Sequence, residues 1–118
     1  MSISAEAFDG VYGRPAAGIR VRLEIAGANG WEVIAHADSD SAGRVTEWGP
    51  CIMARGLYRM ILSSGRYFTT LGAASAYPEV AITFKISAEL DSYRVHVTLT
   101  PYSYSTYLTR IPHALKSG

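Results

Sequence analysis

YRVHVTL, residues 93–99, alternates between two kinds of side chain. After Tyr93, its even positions carry Arg94, His96 and Thr98, and its odd positions carry aliphatic residues. Because successive side chains of a strand point to opposite faces, the pattern predicts a half-buried β-strand. Its aliphatic face must pack inside the protein. Its polar face must then point outward, and it is the first candidate for a functional surface.

The same period of two recurs along the chain and predicts an all-β fold. With 93–99, the predicted strands number eight, and the others are residues 3–8, 19–25, 31–37, 45–48, 57–62, 80–86 and 103–111. Asn29-Gly30 is typical of a hairpin turn. Residues 66–72 instead suit one or two helical turns ended by Gly72. Eight short strands separated by turns favour a β-sandwich with one short helix.

Length and composition set bounds on the class of protein. The chain has 118 residues, of which 48% are hydrophobic and 18% charged. This predicts one folded domain over residues 1–118, with a disordered tail from about residue 112. The net charge is +1 and the basic residues are scattered. We therefore expect no nucleic-acid partner, since such proteins usually carry a basic stripe.

The sequence carries no motif typical of a membrane span, a signal peptide, a disulfide framework, a phosphate loop or a metal site. No apolar run approaches the ~20 residues that span a bilayer, and the first residues do not resemble a signal peptide. We therefore expect a cytoplasmic protein without a membrane partner. Cys51 is the single cysteine, so an intrachain disulfide is excluded. No phosphate loop or metal-ligand spacing is found, and we expect neither a cofactor nor a metal.

Three segments together resemble the transthyretin / 5-hydroxyisourate hydrolase family. They are FDGVYGRPAAG at residues 8–18, GLYR with YF and YPEV between residues 56 and 80, and LTPYSYSTY at residues 99–107. The resemblance implies two four-stranded sheets with one short helix. It also implies a homotetramer, assembled as a dimer of dimers, whose central channel binds a small-molecule ligand.

The resemblance also points to positions for a site. Glu6 stands where the enzyme branch of the family has a histidine, and Arg44 matches the arginine of its "DGR" motif. Arg94 replaces the second histidine of its "HYHVP" motif, and His96 stands at the proline position two residues later. Water would have to be deprotonated beside a ring carbonyl, and arginine can stabilise the anion that develops. We assign catalytic roles to Glu6, His96 and Arg44.

The remaining site residues are predicted to bind substrate. They are Arg94, Thr98, Tyr107 and Arg110. Tyr107 aligns with a channel tyrosine of the family, and Arg110 is expected at the rim of the polar face. Arginines bind carboxylates bidentately, which favours an anionic ligand. His96 carries the side-chain type that gains or loses a proton near neutral pH.

Three functions stay open at this point. The first is a diverged enzyme that acts on a small cyclic or carbonyl-rich anionic metabolite. The second is hydrolysis of 5-hydroxyisourate itself, in purine catabolism, with rearranged catalytic groups. The third is a non-catalytic carrier or interaction protein. In a purely structural interpretation, Glu6, Arg44 and Arg94 form an ion-pair network at a subunit interface, and His96 is an exposed strand residue without a role.

Overall fold

Strands that alternate buried and exposed residues dominate the computed structural model, which describes residues 2–49, 54–88 and 90–112. The elements in this part of the chain are β1 (Ser2–Asp9), β2 (Arg14–Pro15), β3 (Arg20–Gly27), β4 (Gly30–Asp38), β5 (Arg44–Val45), β6 (Gly56–Leu62), α1 (Ser64–Thr70), β7 (Val80–Ile86), β8 (Ser92–Leu99) and β9 (Tyr104–Ile111). Cys51 and the predicted tail beyond residue 112 lie outside the described residues.

The strands form two sheets that pack as a sandwich. The first sheet has the order β2-β1-β8-β9, and β5 also pairs with β1. The second has the order β4-β3-β6-β7. Strands β1 and β8 run parallel, and the other pairs are antiparallel. The predicted all-β sandwich is confirmed, with one extra two-residue strand, β2, that is too short to alternate.

Two predicted elements differ in their bounds. The strand predicted at 45–48 pairs only through Arg44 and Val45. Beyond Val45, the indole N–H of the buried Trp48 donates a hydrogen bond to the carbonyl oxygen of Ile3, 2.8 Å away. A side-chain hydrogen bond thus stands where a longer strand would have backbone hydrogen bonds to β1. The helix predicted at 66–72 spans seven residues, 64–70. No helix among the described residues is long and apolar enough to cross a membrane.

The core lies between the inner faces of the two sheets. On β8, Val95, Val97 and Leu99 are at most 2% exposed, as the alternation of YRVHVTL predicts. On β1, Ala5 and Ala7 face the same core and are equally buried. Burying one valine or leucine side chain contributes about 1.5–3 kcal/mol, so these rows fix which face of the first sheet points outward.

A buried carboxylate joins the end of β1 to the helix. Asp9 is fully buried, and its Oδ1 accepts hydrogen bonds from the backbone N–H groups of Val11 and Tyr12. Its Oδ2 accepts one from the hydroxyl of Tyr67, 2.7 Å away. Burial, together with this bond to Asp9, raises the pKa of Tyr67. The helix is thereby held against the turn that follows β1.

A second buried carboxylate lies on the outer face of the second sheet. Glu24 is 4% exposed and accepts hydrogen bonds from Arg22 Nε and Arg59 Nε, each 2.8 Å away. The guanidinium of Arg59 also lies 4.4 Å from the ring centroid of Trp31. Burial by itself would raise the pKa of Glu24, but the two arginines outweigh it and lower that pKa.

This lowered pKa predicts an acid-dependent loss of stability. Glu24 binds protons more weakly in the folded state than at its unfolded value near 4.5, so its stabilisation is present above pH 4.5 and is lost as pH falls through the folded pKa. We expect Glu24→Gln to lower the free energy of unfolding at pH 7, and this difference from the wild type to shrink as the pH falls below 4.5. Urea unfolding at several pH values measures it.

Glu32→Gln, which removes an exposed carboxyl from the neighbouring strand β4, controls for the loss of one negative charge. A difference between wild type and Glu24→Gln that is equal at pH 7 and pH 3 would contradict the assignment.

Candidate functional site

Polar side chains cover the outer face of the first sheet where β5, β1, β8 and β9 lie side by side. We call this surface the outer polar face. It consists of Ser4, Glu6, Arg44, Arg94, His96, Thr98, Tyr107 and Thr109. Side chains alternate along each of these strands, so the residues before and after each member point to the opposite face of the sheet.

The carboxylate of Glu6 lies between two guanidiniums. Glu6 Oε2 is 3.2 Å from Arg44 Nε and 3.6 Å from Arg94 Nη1. The pairing of β1 with β5 sets Arg44 opposite Glu6. The parallel pairing of β1 with β8 sets Arg94 beside Ser4, whose hydroxyl accepts a bond of 3.0 Å from Arg94 Nε.

These ion pairs contribute little to the stability of the sheet. The side chains of Glu6, Arg44 and Arg94 are 33%, 47% and 37% exposed. Exposed or half-exposed pairs contribute roughly 0–1 kcal/mol each. The fold therefore does not depend on this cluster, and its charges remain within reach of a ligand. One carboxylate and two guanidiniums leave the cluster with an excess positive charge.

An imidazole with a fixed orientation lies next to this cluster. His96 is the β8 partner of Glu6 on one side and of Tyr107 on the other. Its ring stacks on that of Tyr107, with 4.2 Å between centroids and 5° between planes. Its Nε2 lies 3.0 Å from Thr109 Oγ1. Because a hydroxyl can donate or accept, Thr109 can orient the imidazole whether or not Nε2 carries a proton.

The structure places six of the seven predicted site residues on this face and separates the seventh. Arg110 is the cross-strand partner of Tyr93, which is buried in the core, so Arg110 lies on the opposite side of β9 from Tyr107 and Thr109. Its Nε donates a hydrogen bond to Asp91 Oδ2, 2.6 Å away. The expectation that Arg110 lies at the rim of the polar face is wrong, because Arg110 is one residue away from Thr109 along β9 and its side chain therefore points to the opposite face of the sheet.

Sequence reasoning missed two members of the face. Ser4 lies two residues before Glu6, and Thr109 lies two residues after Tyr107. Period-two alternation could have found both. Thr98, which it did find, lies between Phe8 of β1 and Ser105 of β9 on the exposed side of the sheet.

The chemistry of this face is that of anion binding beside a proton-transfer group. The guanidiniums can hold a carboxylate or a developing oxyanion, and the imidazole can accept and return a proton. Among residues 2–49, 54–88 and 90–112, no group of three or more histidine, cysteine, aspartate or glutamate side chains is placed to hold a metal ion.

Comparisons with known proteins agree on the family. The HIUase/Transthyretin family profile matches residues 3–108. The 5-hydroxyisourate hydrolase of Salmonella dublin is 35% identical over 106 residues, which cover 89% of this chain and 78% of that protein. Among solved structures, transthyretin from Sparus aurata has a TM-score of 0.86 at 23% identity and covers 94% of this chain and 98% of its own.

Sea bream transthyretin in complex with thyroxine has a TM-score of 0.84, again at 23% identity, over 95% of this chain and 97% of its own. At this identity the two solved structures show a shared fold. The profile match and the 35% identity to the Salmonella enzyme extend the likeness to the sequence. This chain therefore belongs to the HIUase/Transthyretin family.

Proposed function

We propose that the protein is a hydrolase that opens a small, cyclic, carbonyl-rich anion bound on the outer polar face. The observation that carries this proposal is one imidazole held on the same exposed face as two guanidiniums, by the register of three neighbouring strands. A relative with 35% identity is named 5-hydroxyisourate hydrolase, which supports a hydrolytic reaction on a ring of this kind.

In the proposed mechanism, His96 is the general base. Glu6 already pairs with both Arg44 and Arg94, whereas the imidazole contacts two neutral side chains, Thr109 and Tyr107. His96 accepts a proton from water as the water oxygen attacks a ring carbonyl carbon. When the ring C–N bond breaks, the imidazolium returns that proton to the leaving nitrogen.

The charged cluster then has a binding and electrostatic role. Arg94 and Arg44 hold the anionic substrate and stabilise the oxygen that becomes negative as water adds. Glu6 keeps the two guanidiniums side by side, because a shared carboxylate offsets their mutual repulsion. Thr109 and Tyr107 keep the imidazole ring in one orientation, so the proton acceptor is in place before substrate arrives.

We further propose that the face is closed by other copies of the chain, in a homotetramer assembled as a dimer of dimers. In one protomer the face lies open to solvent, and its charged groups would act more strongly on a substrate where bulk water is excluded. Large side chains on this side of the sheet are exposed: Tyr107 by 65%, and Phe8, the β1 partner of Thr98, by 41%. Edge strands with exposed apolar side chains favour pairing with another chain.

A specific observation favours 5-hydroxyisourate as a second candidate substrate. The likeness to the Salmonella hydrolase extends over 89% of the chain, and a hydrolase could keep its reaction with rearranged groups. Against it, Glu6 and Arg94 stand where the resemblance implies two catalytic histidines. The first candidate is therefore a related anionic ring, such as a carboxylated cyclic ureide or imide.

A single set of assays separates these candidates. Purified protein is mixed with freshly made 5-hydroxyisourate, and the ultraviolet absorbance is followed. Ring opening of dihydroorotate and carboxylated hydantoins is followed by chromatography. Sedimentation velocity on the same sample should give four times the 12.8 kDa of one chain.

Decay of 5-hydroxyisourate faster than its spontaneous rate selects the second candidate, and turnover of the carboxylated rings alone selects the first. No turnover of any ring by a stable tetramer would refute the hydrolase. In that case, strong thermal stabilisation by a ligand with large hydrophobic aromatic rings, such as the thyroxine bound by the sea bream protein, would indicate a carrier.

A further inference from the structure

A second positively charged site lies at the end of the sandwich where β1 ends and β3 begins. There the helix α1 packs beside the turn that leads from β2 to β3 and leaves a cleft of about 910 Å³. Pockets of roughly 300–1,000 Å³ are the usual size for small ligands. No member of the outer polar face lines it.

Three arginines from three different elements line this cleft. Arg14 comes from β2, Arg20 from the start of β3 and Arg66 from α1. Arg20 pairs with Asp38, which also lines the cleft, at 3.4 Å, and both side chains are more than half exposed. Three cations and one carboxylate leave an excess positive charge around the opening.

Arg14 and Arg66 have no carboxylate partner in an ion pair within the part of the chain that the structure describes. The guanidinium of Arg14 lies over the ring of Tyr12, 5.0 Å from its centroid, and this packing limits its motion. The nearby buried carboxylate of Asp9 is already engaged by Tyr67 and two backbone N–H groups. These donors are neutral, so Asp9 still offsets part of the charge of Arg14, which also contacts the Tyr67 hydroxyl. Three arginines against the two carboxylates of Asp9 and Asp38 leave one net positive charge at the cleft.

The rest of the lining supplies neutral hydrogen-bonding groups and a short apolar floor. Ser41, Ser63 and Thr70 contribute hydroxyl groups, and Leu71 contributes apolar surface. Guanidiniums around hydroxyl groups match a ligand with several charged oxygens and a small carbon frame. A hydrophobic ligand would leave these polar groups without partners.

We propose that this cleft binds a small organic anion with two or more negative charges, held between Arg14 and Arg66. Dicarboxylates, tricarboxylates and phosphate esters share this chemistry. The site is separate from the proposed hydrolytic site, so it does not depend on that function. The anion bridges β2 and α1, beside the Asp9–Tyr67 hydrogen bond that joins the end of β1 to the helix.

Isothermal titration calorimetry of the full chain at low ionic strength tests the proposal, with sodium pyrophosphate as one probe and citrate as the other. We expect saturable binding of at least one probe, and the stronger one identifies a phosphate or a carboxylate ligand. Arg66→Gln should raise the Kd by about tenfold or more, the size expected when one charge-assisted hydrogen bond is lost. Arg14→Gln is a second variant with the same expectation.

Two control variants locate the anion. Lys85→Gln makes the same change in charge at an exposed position on β7, outside this cleft, and should leave the Kd within about twofold, since distant exposed charges are screened. Arg94→Gln removes a cation from the outer polar face and should also leave it unchanged. Absence of binding, an unaltered Kd in both Arg66→Gln and Arg14→Gln, or an equal weakening by Lys85→Gln or Arg94→Gln would overturn the proposal.

Discussion

Replacing His96 by alanine should lower kcat toward the ring substrate by a factor of about a hundred to ten thousand, the usual contribution of a general acid–base group. The imidazole lies only partly buried on an outer face, so the free energy of unfolding should change by no more than about 1 kcal/mol. Steady-state kinetics and thermal unfolding, measured on the same preparation, separate a catalytic defect from a folding defect.

His36→Ala is the matched control for this experiment. His36 is an exposed histidine on β4, in the other sheet, and its loss should leave kcat unchanged. Added imidazole should restore part of the activity of His96→Ala, which a purely structural defect would not allow. If His96→Ala turns over substrate at the wild-type rate, His96 has no part in the reaction and Glu6 becomes the candidate base.

The second large effect concerns the glycine that precedes Arg44. Gly43 has a φ of 74°, and a Cβ there would overlap the carbonyl oxygen of Ala7. That oxygen already accepts a hydrogen bond of 2.9 Å from the N–H of Ala16, and the N–H of Ala7 bonds to Gly43 itself at 2.8 Å. The carbonyl cannot turn away without breaking the contacts that hold β5 and the segment after β2 against β1.

We therefore expect Gly43→Ala to destabilise the protein by about 3 kcal/mol or more, from roughly 1 kcal/mol of left-handed backbone strain and the cost of moving the backbone. In thermal unfolding this corresponds to a decrease in Tm of roughly 10 °C or more. The variant should also lose activity at temperatures where it is still folded, because Arg44 leaves its place beside Glu6.

Gly18→Ala is the control that separates the cost of a left-handed backbone from the cost of the overlap between the new Cβ and Ala7. Gly18 has nearly the same φ, 73°, but nothing lies within 4 Å of the Cβ that alanine would add. It should lose only about 1 kcal/mol, the penalty for the left-handed conformation alone. Equal losses in the two variants would show that contact with Ala7 does not matter and that Arg44 is positioned in another way.

The glycine before Arg44 therefore has a structural reason to be present. A residue with a side chain at position 43 would keep β5 from approaching β1, and the guanidinium of Arg44 would not reach Glu6 Oε2.

The sequence by itself determined the faces of the strands. Alternation in residues 93–99 set Val95 and Val97 inside and Arg94 and His96 outside, and the structure agrees. The helix could be predicted within two residues. Both are local properties, since the pleat of a strand and the turn of a helix depend on neighbouring residues.

Only the tertiary structure decided which polar groups meet. The register of β8 with β9 brings Thr109 to the face that holds His96 and leaves Arg110 on the other side with Asp91, a difference of one residue that composition cannot reveal. The cleft lined by Arg14, Arg20 and Arg66 likewise joins positions far apart in the chain. Contacts of this kind depend on strand pairing and packing between segments that are distant in the sequence, and the energies of both depend on the whole fold.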